Sequence, residues 1–349
     1  MKKEAFRKRY VFVFCLLVFM AVFFTSLTPK ATSAEKEIVW NLSAWGSKMA
    51  FTEPMHDYAA YMEGKTNGKW KIKIHYGSVL SSPKEQLDGI KAGLFELAFF
   101  VPSHAPGKIP LFTVGDLPFI SPRENVHLGM MTIKLFEHPE IKKELLKWNA
   151  LPFLPNYVSN ARMMSRKPVR TLADLKGLRV RVGGDTGKVL AEFGAVPMMV
   201  PGVEVFEAVQ KGTIDAVTFP WTFAFAANKI HEVTKFAVDI PFGALASTTF
   251  VNKDAWDALP EEFKKYHMEW YYKTPQIWAE AYKRADEKWV PIFKKYLEFI
   301  QFPTSDVDKL MEKSGPVYEE WAKRMEDRGL PGREILNYYL KERKKVAGH

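Results

Sequence analysis

The chain has 349 residues, a formal net charge of +10 and a single cysteine, Cys15. That length suffices for a large core or two lobes without covalent staples, and one cysteine excludes a disulfide framework or a thiolate metal site. The basic residues are scattered, and the densest cluster is the carboxyl-terminal "LKERKKVAGH", which argues against nucleic acid as a partner.

Lys2, Lys3, Arg7, Lys8 and Arg9 precede an unbroken apolar run from Tyr10 to Phe24. The run is shorter than the ~20 residues of a membrane span. Small residues ending in "ATSA" follow it, so residues 1–34 read as a secretory signal peptide and the remainder as an exported protein. Six basic residues and one acidic residue leave with that segment, which lowers the charge from +10 to +5.

From Glu37 onward, strand-like and helix-like stretches alternate, which favours an α/β fold with mostly parallel sheets. "EIVWNLSAW" predicts a strand, Glu53 to Lys65 a helix, and "WKIKIHYG" a second strand. A helix near Lys84 to Ala92 and a third strand in "LFELAFF" come next. No low-complexity linker divides the chain, so lobes, if present, are interleaved through crossing strands.

"EQLDGIKAGLFELAFFVP", from Glu85, aligns without gaps with "EVFEAVQKGTIDAVTFPW", from Glu204. In each, an amphipathic helix is closed by Gly93 or Gly212, where the chain turns left-handed. Glu96 and Asp215 open the following strands, and Phe100 and Phe219 stand at matching strand ends. Two related lobes are expected, each presenting an aromatic at the carboxyl edge of its sheet, the edge where open α/β sheets bind ligands. After Pro260 a long aromatic-rich helical stretch begins, with Pro275 and Pro291 as expected kinks or breaks, long enough to bridge two lobes.

Signals for catalysis are weak. The eight histidines show no metal-ligand spacing and no HExxH. "GGDTGKV" at Gly183 is one residue short of a phosphate loop and has Val189 where a Ser or Thr would hold magnesium. No G-x-S-x-G elbow occurs. No cofactor and no metal are therefore expected, and no enzyme.

"LADLKGLRVRV", "FGAVPMMVPGVEVFEAVQKGTIDAV", "GSVLSSPKEQLDGIKAGLFELAFF" with "IPLFTVGDLPF", and "FVNKDAWDALPEEFK" are blocks spaced over nearly the whole chain after residue 34. Together they resemble the solute receptors of tripartite ATP-independent periplasmic (TRAP) transporters, the DctP-like substrate-binding proteins. The resemblance implies a two-lobed periplasmic binding protein fold with hinge strands and a long helix spanning both lobes. Lobe I is expected to comprise residues 35–158 plus 246–285, and lobe II residues 159–245 plus 286–349. It further implies periplasmic localisation, a small organic acid as ligand and the TRAP membrane permease subunits as partner.

In such receptors the arginine of the "KGLRVRV" block clamps the ligand carboxylate, a position held here by Arg181. Its planar fork offers two parallel charge-assisted hydrogen bonds that lysine cannot reproduce. Arg179 is expected to be solvated or surface-paired, and Asp185 is the competing partner for Arg181. Arg162 matches a second basic residue of the family, and Tyr157 stands close enough in sequence to reach the same ligand. Where receptors for acidic sugars and dicarboxylates commonly carry Asn, this chain has Phe219, followed by Trp221. With Phe100 and Trp45 opposite, aromatic walls would enclose a monocarboxylate with an aromatic or branched apolar body. The competing readings are an exported enzyme acting on organic acids, the receptor of an ATP-driven importer, and a periplasmic signalling domain.

Overall fold

The computed structural model describes residues 37–348 except 201 and 222–224, so the expected signal peptide lies outside the described residues. The described residues are built on two sheets. One contains β1 (Ile38–Ser43), β2 (Trp70–His75), β3 (Leu97–Phe100), β4 (Ala150–Leu154) and β10 (Thr248–Asn252), in the order β2-β1-β3-β10-β4. The other contains β5 (Arg162–Ser165), β6 (Arg179–Arg181), β7 (Val196–Met198), β8 (Ala216–Phe219), β9 (Phe236–Val238) and β11 (Glu298–Ile300), in the order β11-β9-β5-β8-β6-β7.

The sheets share a plan. β1 pairs parallel with β3 as β6 does with β8, and β10 runs antiparallel to β3 as β5 does to β8. The internal repeat underlies the match, since helices Gln86–Lys91 and Val205–Gln210 occupy aligned positions, as do β3 and β8. Gly93 and Gly212 both have positive φ, 67° and 75°, as the left-handed turn after each helix requires. The acidic residues that open the strands also act alike. Glu96 accepts the backbone N–H of Asn41 at 2.7 Å, and Asp215 that of Arg179 at 3.1 Å, so each carboxylate ties its strand to the parallel neighbour.

Each sheet has its own core. Leu87, Ala98, Phe100, Phe112 and Phe250 belong to the first, and Met163, Val180, Val189, Ala216 and Val238 to the second. The chain crosses between them after β4 and again after β9. The two crossings meet in an antiparallel bridge between Val158 and Leu245, reinforced by Ala161 N–H donating to the Gly243 carbonyl at 2.8 Å. Gly243 has φ 116°, and a Cβ there would lie 3.2 Å from the Phe119 nitrogen, so a side chain would strain this hinge.

Helix Thr274–Tyr296 spans both sheets' territories. Trp278 Nε1 donates to the Phe51 carbonyl at 2.9 Å near one end, and Phe293 packs on His231 with ring centroids 5.2 Å apart near the other. The expected break at Pro275 is instead a helix start, because a proline in the first turn forfeits no intrahelical bond. Pro291 lies inside the helix without ending it. The carboxyl-terminal helices depart from the expected lobe assignment. Val307, Leu310 and Val317 join the second core, but Trp321, Ala322, Met325, Ile335, Leu336 and Tyr339 are buried in the first. Helix Ser314–Glu326 therefore straddles both, where 286–349 had been expected wholly in lobe II.

Candidate functional site

The two arginines of β6 sit two residues apart, and alternation places both on one face. Val180 between them points into the second core. Arg179 lies at the strand's start beside Asp215, which accepts from its Nε at 2.9 Å and from its second guanidinium nitrogen at 3.0 Å. Lys167 adds a contact to the same carboxylate at 3.1 Å. The Arg179 hydrogen bonds, first among several causes, hold the Asp215 carboxyl well below the usual carboxylate range.

Arg181, at the strand's end, has no such partner. Its Nε donates to the Val200 carbonyl and one terminal nitrogen to the Thr218 carbonyl, each at 3.3 Å. Two of five guanidinium donors are thus engaged by backbone, and no carboxylate of the described residues pairs with it. Burial pushes its pKa down to about 10, so it remains a cation at neutral pH while poorly solvated. Asp185, the competing partner, is committed to Arg324 at 2.8 Å and to Lys188 at 3.2 Å.

Phe219 lies beneath Arg181, the guanidinium carbon 4.2 Å from its ring centroid. From there an aromatic chain runs through Phe225 (5.9 Å from Phe219) to Trp221 (5.7 Å from Phe225) and on to Phe299 of β11. Arg162 opens β5 directly across from Phe219. Its Nε donates to Asp239 at 2.5 Å, so unlike Arg181 it already has a counter-ion.

The first sheet contributes a second aromatic group at the carboxyl end of β1 and β3. Trp45 packs against Phe51 (5.6 Å), Phe99 (6.4 Å) and His104 (5.0 Å). His104 ends the short 3-10 turn Pro102–His104 that follows β3. Burial, and then the charge of Arg181 on the other sheet, lower its pKa to about 4. Its Nδ1 is buried without a hydrogen-bond partner. A cavity of about 400 Å³ touches this turn at Ser103 and runs past Asp116, Asp185, Trp321, Arg324 and Arg328, apart from Arg181 and Phe219.

Two sequence-derived candidates fall elsewhere. Phe100 points into the first core, fully buried and 5.8 Å from Phe250. Its neighbour Phe99 reaches Trp45 instead, because one step along a strand reverses the face. Tyr157 is buried in the hinge, its ring against Tyr282 and its carbonyl accepting from the Tyr282 hydroxyl at 3.0 Å. There it fastens the crossing strand to the long helix. Sequence reasoning passed over Phe51, Phe99 and His104; the "FVPSH" that ends the first copy of the repeat was the available signal for the last.

Among the described residues no group of three or more His, Cys, Asp or Glu side chains gathers to hold a metal, and no helix is long and apolar enough to cross a membrane.

Residues 44–324 match the model of the DctP family, "Bacterial extracellular solute-binding protein, family 7". The 2,3-diketo-L-gulonate-binding periplasmic protein YiaO of Escherichia coli is 28% identical over 208 residues, which is 58% of this chain and 62% of YiaO. The matched stretch is thus less than two thirds of that relative's length. A TRAP periplasmic solute-binding protein from Desulfovibrio salexigens superposes with a TM-score of 0.77 at 22% identity, covering 89% of this chain and 97% of that one. One from Rhodoferax ferrireducens, crystallised with copurified benzoate, gives 0.75 at 22% identity, covering 89% and 99%. These structures establish the fold as the two-lobed periplasmic binding protein type. These relatives are solute-binding proteins, not enzymes. With the family model matching most of the chain, the protein belongs to the DctP family, bacterial extracellular solute-binding protein family 7.

Proposed function

We propose that the protein is an extracytoplasmic receptor that encloses a small organic monocarboxylate between its lobes and delivers it to a TRAP-type membrane permease. The observation that carries this reading is Arg181, a part-buried cation lacking a carboxylate partner among the described residues. Burying a charge is costly unless it is paired, and an incoming carboxylate supplies the missing half. Phe219, beneath the guanidinium, and Trp221 beyond it favour an aromatic or branched apolar ligand body over a second charge. Trp45 closes the pocket from the first lobe, and Arg162, opposite Phe219, is a supporting basic contact at the same strand end. In this reading Phe100 and Tyr157 support the lobe and the hinge rather than touch the ligand.

Benzoate, carried by the Rhodoferax ferrireducens neighbour, is a suitable first probe alongside mandelate, isovalerate and succinate. Thermal-shift assays should show a rise in Tm with aromatic or branched monocarboxylates and none with the matching amides, since an amide cannot neutralise Arg181. Equal shifts with benzoate and benzamide would remove the carboxylate from the proposal. Mass spectrometry of acids that copurify with the protein would then name the physiological ligand.

A further inference from the structure

His104 is a polar side chain that the carboxylate anchor leaves unused. It stands on a short turn at the carboxyl edge of the first sheet, where the Trp45 ring meets it edge-on at 5.0 Å and restricts its orientation. Its Nδ1 is buried and lacks a partner among the described residues, a state that native structures rarely tolerate without a reason. The Arg181 guanidinium acts on it from the facing lobe. An imidazole in that position stays neutral across the physiological range, because both burial and the nearby cation oppose a second positive charge.

A neutral imidazole carries one N–H donor and one acceptor nitrogen. It can satisfy a hydroxyl or a carbonyl oxygen but cannot neutralise a second carboxylate. Resting on the reading of Arg181 as the carboxylate anchor, we propose that His104 is the first lobe's specificity-determining contact. It selects acids that bear a hydroxyl or oxo group in addition to the carboxylate held by Arg181. Closure of the lobes around such a ligand joins Arg181 on one side and His104 on the other through a single small molecule.

Two matched pairs of acids test this by calorimetric titration: phenylacetate with mandelate, and isovalerate with 2-oxoisovalerate. Members of a pair share a skeleton and differ by one oxygen function. The wild-type protein should bind the oxygenated member of at least one pair roughly tenfold more tightly, the effect of one well-made hydrogen bond. In His104→Phe, which keeps a ring against Trp45 but no nitrogen, that preference should collapse to about unity while affinity for the plain acid is retained. Should His104→Phe fold poorly, His104→Ala gives the same ratio test, because only relative affinity within a pair is compared. A preference unchanged by substitution, or equal loss of both members, overturns the proposal and leaves His104 a packing residue. Binding of plain acids with no preference in the wild type also overturns it while sparing the anchor, whereas binding of neither pair overturns the carboxylate reading as well.

Discussion

Arg179 and Arg181 share a strand face and differ by two positions, yet their surroundings assign them opposite tasks. Arg179 is half-exposed and neutralised by Asp215, so it serves the fold. Arg181 is mostly buried, bonded among the described residues to two carbonyls and stacked on Phe219, so within them it retains unused donors and an unneutralised charge. Phe219 is a cation–π partner of Arg181 and, on the proposed reading, an apolar wall for the ligand. Replacing it with Asn, Phe219→Asn, should weaken binding of aromatic acids about tenfold and improve the relative affinity of dicarboxylates. Competition calorimetry with benzoate and succinate checks this, and an unchanged ratio would mean that Phe219 packs within its own lobe without reading the ligand.

At the scale of elements, Asp215 is the fastener between β6 and β8. Its carboxylate accepts from the Arg179 backbone and side chain and from Lys167, so Asp215→Asn should cost about 1–3 kcal/mol of stability without altering ligand affinity. The pH dependence has a definite sign. A carboxyl held below its ordinary value contributes stability that is present above about pH 4 and is lost as the pH falls through the depressed native value. The Tm gap between wild type and Asp215→Asn should therefore be full at neutral pH and shrink in strong acid. A gap that does not vary with pH would show that the Arg179 pair adds nothing. Glu96 plays the equivalent part toward Asn41, and the two acids were visible in the sequence at matching places in the repeat. Helices, strands and their glycine stops were legible there because they depend on local periodicity and on φ at single residues. Which face of β3 meets the cleft was not legible. That strand is buried on both sides, so no polar alternation distinguished Phe99 from Phe100. His104 was hidden for another reason: a lone histidine after a strand acquires meaning only when the opposite lobe brings a guanidinium near it. The place of the carboxyl-terminal helices was likewise obscured, since an amphipathic helix does not say which core its apolar stripe will enter.

At the scale of the molecule, two sheets of one plan are joined by crossing strands and by a helix of 23 residues, an arrangement suited to rigid-body closure. A ligand favours closure only through contacts that it makes better in the closed state. On the proposed reading, Arg181 and Phe219 from one lobe, with Trp45 and His104 from the other, would supply such contacts, and the Arg181 charge would give the ligand's carboxylate end its direction. The most direct test is calorimetric titration of the wild type and of Arg181→Ala with the acid that most raises the wild-type Tm. Loss of a bidentate anchor should weaken binding by about a hundredfold or more, while the ligand-free Tm stays close to that of the wild type, since the variant no longer buries an unpaired charge. Equal affinity in a folded Arg181→Ala variant would contradict the assignment of Arg181 as the anchor.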